Sequence, residues 1–347
     1  MDRMKRYIEC YVPITTCNLH CHYCYITRQK KWKDEIVPLQ HSVKEIRKAL
    51  SVQRLGGKCL INLCGGGETL LQPELLDLIR EFLEEGHYVF VVTNGTLTEK
   101  FEEICQFPEH LLKHLIFKFS YHYFELKRTN QTELFFANIK RMQAAGCSFT
   151  LEITPNDEIV KFIPEIMAEA EKYMGALCHV TIARDDVADG IPILSKMEDE
   201  EFYQTWKQFA SSLLEFKSTI FGKKICDFCY AGDWSVYVHL GTGEMTQCYE
   251  GRRLDNIFDN PDKPLKFRAI GDCCKTPHCY NGHAFLSLGV VPTMETPTYA
   301  SLRNRALADG TEWLNEEAKQ FLSSKLYDTN EQYGKLKKKI TNYKNKH

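Results

Sequence analysis

Short apolar runs alternate with longer amphipathic stretches over the first two-thirds of the chain. This alternation constrains the fold of the 347 residues more than any other feature. Runs at 8–12, 58–63, 88–92, 115–119, 149–153 and 177–183 read as strands. Between them, Ser42 with Glu45 forms a capping box for a helix closed by Gly56 and Gly57, and Pro73 opens a helix that stops before Gly86. Further helices are predicted from about Thr98, through Ala145 to Gly146, from about 162 to 174, and from about 198 to 216. Six βα units in series imply a parallel sheet with helical crossovers. Six suit an open, partial (β/α)6 barrel of the TIM type better than a closed eight-stranded one. The expected class is therefore α/β, with the partial barrel at 1–220.

Beyond Lys223 the pattern changes. Cysteines become dense, and runs at 234–240 and 244–249 flank Gly241, Thr242 and Gly243 as a hairpin. A small cysteine-rich α+β domain is expected at 221–298. A helical tail at 299–347 ends in the basic stretch Lys335–Lys346 and reads as a solvated helix with a frayed end. The tally of 44 Lys+Arg against 46 Asp+Glu argues against a nucleic-acid partner. No apolar run approaches the ~20 residues of a membrane span. The first residues, MDRMKRYIECYV, lack the apolar stretch of a signal peptide, so a cytoplasmic location is expected. There, 15 cysteines, an odd number, read as metal or redox sites rather than disulfides.

Cys17, Cys21 and Cys24 form a C-x3-C-x2-C set in CNLHCHYC, after the first strand. Thiolates suit iron–sulfur clusters or zinc. Three on one loop can hold three irons of a four-iron cube, or a zinc ion with His20 or His22 as fourth ligand. The next strand ends weigh between these. Cys64-Gly65-Gly66-Gly67-Glu68 follows the second strand, Thr93-Asn94-Gly95 the third, and Ser120 ends the fourth. Glycines let backbone approach a ligand, and Glu68 can accept from an ammonium group. Features on successive carboxyl ends of parallel strands form one site.

This constellation resembles the radical S-adenosylmethionine (radical SAM) enzymes over residues 8–215, most specifically through CNLHCHYC, GGETLL and TNGTL. The resemblance implies that Cys17, Cys21 and Cys24 bind a [4Fe–4S] cluster whose open iron takes the amino and carboxylate groups of SAM. It places Tyr23 near the adenine, Gly66, Gly67 and Glu68 at the ammonium, and Ser120 at the ribose, with Thr93 and Asn94 also in the cofactor site. It further implies reductive cleavage of SAM to a 5′-deoxyadenosyl radical, hydrogen-atom abstraction from substrate, and an electron donor such as flavodoxin or ferredoxin. The chain reads GGET where GGEP is commoner, and Ser-Tyr-His-Tyr where many members have Ser-x-Asp. Arg128 and Arg141 are candidate carboxylate partners, though surface arginines are the default.

Cys226, Cys229, Cys248, Cys273, Cys274 and Cys279 form a second group. The C-x13-G-x4-C spacing from Cys229 through Gly243 to Cys248 resembles the SPASM or twitch extension of radical SAM enzymes. The segment from Cys273 through Cys279 to His283 resembles its second half, with Ile270 where the family has cysteine. This implies one auxiliary [4Fe–4S] cluster on Cys229, Cys248, Cys279 and either Cys273 or Cys274. A second would use Cys226 and the remaining thiol with His283, and a zinc knuckle is the alternative. Cys10, Cys59, Cys64, Cys105, Cys147 and Cys178 read as packing, and His179 and His239 as structural. Asp157, Asp185, Asp186 and Asp227 are acid/base candidates by position alone.

The function that follows is a radical SAM enzyme. Its auxiliary cluster would assist oxidation, cross-linking or epimerisation of a peptide or small molecule. Alternatives are a sugar or cyclitol dehydrogenase or epimerase, and a non-enzymatic zinc-binding interaction protein. Little chain precedes Cys17, which weighs against an upstream leader-binding domain. Tyr121, His122 and Tyr123 could meet sugar hydroxyls.

Overall fold

The computed structural model describes residues 3–272 and 274–346. Its frame is one sheet in the strand order β6-β5-β4-β3-β2-β1-β7-β8-β9. Strands β1 (Arg6–Val12), β2 (Cys59–Gly65), β3 (Tyr88–Thr93), β4 (Leu115–Tyr121), β5 (Ser148–Ile153) and β6 (His179–Val180) pair in parallel, each with the next. The sheet does not close on itself, because β6 and β9 are its two edges. The chain is α/β with a partial barrel of six units.

Side chains alternate across each strand, and both faces are covered. Ile8, Cys10, Ile61, Leu63, Val89, Val91, Phe117 and Phe119 pack against the outer helices. Tyr7, Leu60, Tyr88, Phe90 and Ile116 join a separate core inside the curl. The outer helix Leu75–Glu84 buries Leu75, Leu78, Ile79, Phe82 and Leu83, spaced to form one stripe.

The helices are more broken than their periodicity suggests. The capping box of Ser42 and Glu45 is formed, but its helix stops at Ala49. Ser51 then caps a new turn, Val52–Leu55, which Gly56 ends at φ +78°. Asn130, at φ +56°, separates Tyr123–Arg128 from Thr132–Ala144. The single helix expected at 198–216 is split at Ala210, at φ +46°. The Arg305 guanidinium donates to the carbonyls of Phe209 (2.9 Å) and Ala210 (2.8 Å), and Ser211 caps Ser212–Ile220. The sixth strand is shorter than its apolar run, because the chain turns back so that Asp185 N–H meets Pro192 O at 2.8 Å.

The hairpin forms as β7 (Ser235–His239) and β8 (Glu244–Thr246), with Gly243 at φ +73°, and β9 (Arg253–Asn256) follows antiparallel. β7 pairs in parallel with β1, so the sheet runs on through residue 220. The tail departs from its sequence reading as a solvated helix. Tyr299, Leu302, Trp313, Leu314, Phe321 and Leu322 are buried. Phe321 stacks on Tyr88, and Asn315 donates to the carbonyls of Lys113 and Gly146, just before β4 and β5. The tail thus covers the amino ends of the strands, and apolar burial outweighed its polar composition.

Candidate functional site

The loop of residues 17–24 lies at the carboxyl end of β1, against the glycine turn after β2. Gly67 N–H donates to Ile14 O at 2.8 Å and Glu68 N–H to Thr16 O at 3.0 Å. A β-carbon on Gly67 would overlap the carbonyl of Thr16, and one on Gly65 would press into Ile14. The glycines therefore admit the backbone that leads into the cysteines. The Glu68 carboxylate is buried and accepts from Thr93 Oγ1 (2.7 Å), Asn94 N–H (2.7 Å) and Leu70 N–H (3.0 Å). It ties the end of β2 to the turn after β3, and three of its acceptor positions are already taken.

Asn94 reaches the other way. Its Nδ2 donates to Asn18 Oδ1 at 2.8 Å and lies 3.8 Å from Cys17 Sγ, which also receives Leu19 N–H at 3.4 Å. Burial pushes the Cys17 thiol up to about 11, while the Leu19 and Asn94 donors favour the thiolate. Burial also raises Cys21. Both thiols need a positive partner to ionise, which a metal group supplies. Cys17, Cys21, Cys24, Tyr23, Gly66, Gly67, Glu68, Thr93, Asn94 and Ser120 all line one cavity of about 310 Å³.

At the fourth strand end, Lys118 Nζ donates to Ser120 Oγ at 3.3 Å. His122, two residues beyond Ser120, faces the same cavity and shares a 2.7 Å hydrogen bond between Nδ1 and the Tyr23 hydroxyl. Burial and then Lys118 push the His122 imidazole down to about 4, so it is neutral near pH 7. Tyr121 and Tyr123 turn away into an aromatic layer with Phe135, Phe136 and Phe162. Arg128 pairs with Glu125 (2.8 Å), whose other contact is His20 N–H, and Arg141 with Glu102 (3.2 Å). Neither arginine lines the cavity. Asp157 caps Ser195 and Lys196, Asp185 pairs with Arg28, and Asp227 accepts from Thr293. Of the four aspartates only Asp186 lines the cavity.

Cys229, Cys248, Cys274 and Cys279 line a second, smaller cavity. Burial raises the thiols of Cys229, Cys248 and Cys279. Cys226 is exposed and lies outside this lining, as does His283. Cys273 lies outside the described residues. Among the described residues, no three His, Cys, Asp or Glu side chains form a group that could hold a single metal ion. Soft thiols, three around one cavity and four around another, fit iron–sulfur clusters as a donor set. Four of the six packing cysteines are buried, and Cys105 is partly so. Cys64 instead lines a cavity, and burial pushes its thiol up to about 12.

A third cavity, of about 280 Å³, connects these two regions. It shares Cys64, Val92, Lys118, Thr181, Ile182 and Arg184 with the first, and Cys279 with the second. Its charged lining went unread in the sequence. Lys118 and Glu152 are the lone charges of their strands (LIFKFSY, SFTLEI), and Glu9 is the one charge inside its strand after Arg6 opens it (RYIECYV), a signal that could have found them. Lys217 and Arg303 lie on helices and carry no such mark.

Two solved structures of Streptococcus suis SuiB resemble the chain. The form bound to S-adenosylmethionine is 12% identical, with a TM-score of 0.52 over 75% of this chain and 65% of that one. A second SuiB structure is 13% identical, with a TM-score of 0.51 over 75% and 65%. The chain thus spans less than two-thirds of SuiB, and identity this low shows the fold alone. No curated protein matches the chain. Residues 11–156 match the radical SAM superfamily.

Proposed function

We propose that this chain, which carries a radical SAM domain at 11–156, is an enzyme that cleaves SAM at the cluster of Cys17, Cys21 and Cys24 and modifies a substrate in the adjoining inner cavity. The observation that carries this reading is the convergence of the three-cysteine loop and the turns after β2 and β3 on one cavity. That cavity opens toward a second thiol-lined site. Loaded with its cluster, the first site would supply one-electron cleavage of SAM and abstraction of a substrate hydrogen atom. The chain's own residues do the rest. Asn94 and Leu19 N–H orient Cys17, Glu68 fixes the turns, and Tyr23 with His122 forms the wall where the adenine would lie. The glycine turn then presents backbone, rather than the committed Glu68 carboxylate, to the SAM ammonium.

Cys229, Cys248, Cys274 and Cys279 would hold one auxiliary [4Fe–4S] cluster in a SPASM- or twitch-like unit at about 221–298. An electron donor of the flavodoxin or ferredoxin type would reduce the first cluster. The substrate, a small molecule or a peptide side chain, would be oxidised, cross-linked or epimerised in the inner cavity, held close to the site of SAM cleavage. No helix is long and apolar enough to cross a membrane, among the described residues. The test is the triple substitution Cys17→Ala/Cys21→Ala/Cys24→Ala in anaerobically purified protein. It should abolish formation of 5′-deoxyadenosine with dithionite and SAM while about half the iron remains. Cleavage that survives would refute the site.

A further inference from the structure

We propose that the inner cavity receives its substrate through an anionic group, a carboxylate or a phosphate, bound by Lys217, Arg184 and Lys118. The inference rests on the radical SAM reading for the identity of the cavity as a substrate site, and on charge for the rest. Four cations and two carboxylates line it: Lys118, Arg184, Lys217 and Arg303 against Glu9 and Glu152. Both carboxylates are committed. Glu152 pairs with Arg303 and lies 3.7 Å from Lys118 Nζ. Glu9 accepts from the Tyr7 hydroxyl, from Asn62 Nδ2 at 2.7 Å and from Asn281 Nδ2 at 3.2 Å.

Lys217 is left without a counter-charge. Its ammonium donates to Thr181 Oγ1 at 2.7 Å and approaches Ile182 O at 3.5 Å, with no carboxylate in reach among the described residues. Arg184 donates to Tyr280 O at 2.5 Å and has Asp186 at 3.7 Å, so most of its fork is open. Burial, then the charges of Arg184 and Lys118, pull the Lys217 ammonium well below its ordinary range. An unpaired buried cation is costly, and two more beside it add repulsion. Unpartnered polar atoms also face this cavity: neither ring nitrogen of the buried His278, nor Nδ1 of His283, has a hydrogen-bond partner, and each neutral ring offers one N–H donor.

SAM does not supply the missing charge. It carries two positive centres, the sulfonium and the ammonium, against one carboxylate. Lys217, His278 and His283 line the inner cavity and not the outer one. An anion held there by a guanidinium and two ammonium groups would gain charge-assisted hydrogen bonds and relieve the repulsion.

The experiment titrates inorganic phosphate, and separately succinate, into anaerobic cluster-loaded protein, both free of SAM and saturated with it, by calorimetry at constant ionic strength with chloride as control. At least one anion should bind. The arm that binds more tightly tells phosphate from carboxylate. Lys217→Gln should weaken that binding about tenfold or more, and Lys217→Arg should restore it. SAM binding by each variant shows that it is folded. Three outcomes would overturn the proposal: anion binding no tighter than chloride, equal binding by Lys217→Gln, or loss of anion binding on saturation with SAM. The last would assign these cations to the carboxylate of SAM. The wild-type titrations decide the matter if Lys217→Gln does not fold. Failure of the radical SAM reading would show separately, as wild-type protein that neither binds nor cleaves SAM.

Discussion

Gly67 carries as much of the site as any cysteine, because the loop that presents the thiols crosses it at backbone distance. Gly67→Ala should displace that loop and lower cluster iron and SAM cleavage together, while the auxiliary iron stays. Iron analysis of the variant, with and without the triple cysteine substitution, checks this. His87 belongs to the scaffold. It is buried, accepts from Cys59 N–H at 3.1 Å through Nδ1 and bonds Leu50 O through Nε2, which fixes a neutral ring. Burial pulls its pKa down from 6.5 to about 4. The neutral form is favoured in the fold, so its stabilisation is complete above pH 6.5 and is lost as the pH falls toward 4. The loss should reach ~2 kcal/mol by pH 5. In His87→Gln, denaturant unfolding between pH 7 and 5 should show a correspondingly flatter decline. At this scale the sequence was legible where a residue type has one main use, as in three closely spaced thiols or a Gly-Gly-Gly-Glu turn. Glu68 was harder to read, since only the structure shows its carboxylate spent on Thr93 and Asn94.

The elements were legible where local pattern and tertiary packing agree. β1 to β5 fall within two residues of their apolar runs, and the capping box at Ser42 is formed. The helix breaks at Asn130 and Ala210 escaped notice, because their left-handed backbones are imposed by neighbours such as Arg305, distant in sequence. The tail was misread for the same reason: its few apolar side chains are spread among polar ones, yet they converge on the amino ends of the strands. The last helix, Lys335–Lys346, also supports the second thiol group. Asn345 Nδ2 donates to Ala269 O (2.8 Å) and Ile270 O (3.0 Å), just before Cys274. Asn345→Ala leaves the Ile270 carbonyl without its donor, while Ala269 O keeps Gln247 Nε2 at 3.1 Å, and should cost about 1–3 kcal/mol. Auxiliary iron should fall in this variant, while SAM cleavage at the first cluster persists. Iron content and 5′-deoxyadenosine yield, measured on one preparation, separate the two.

In the whole molecule, one continuous sheet carries the three-cysteine loop at the end of β1 and, through the β7–β8 hairpin, the second thiol group. The inner cavity lies between them, so a substrate there would have a radical source on one side and an electron acceptor on the other. On the proposed reading, Cys229, Cys248, Cys274 and Cys279 around one cavity, with Cys226 exposed and Cys273 outside the described residues, would make one auxiliary cluster and about eight irons per chain rather than twelve. The sequence alone left that number open, because spacing cannot say which of six thiols converge. The most direct test is metal and sulfide analysis of the anaerobically purified chain, followed by reduction with dithionite in the presence of SAM. The account predicts about eight irons, as many sulfides, and 5′-deoxyadenosine. Stoichiometric zinc without sulfide, and SAM recovered intact, would contradict it.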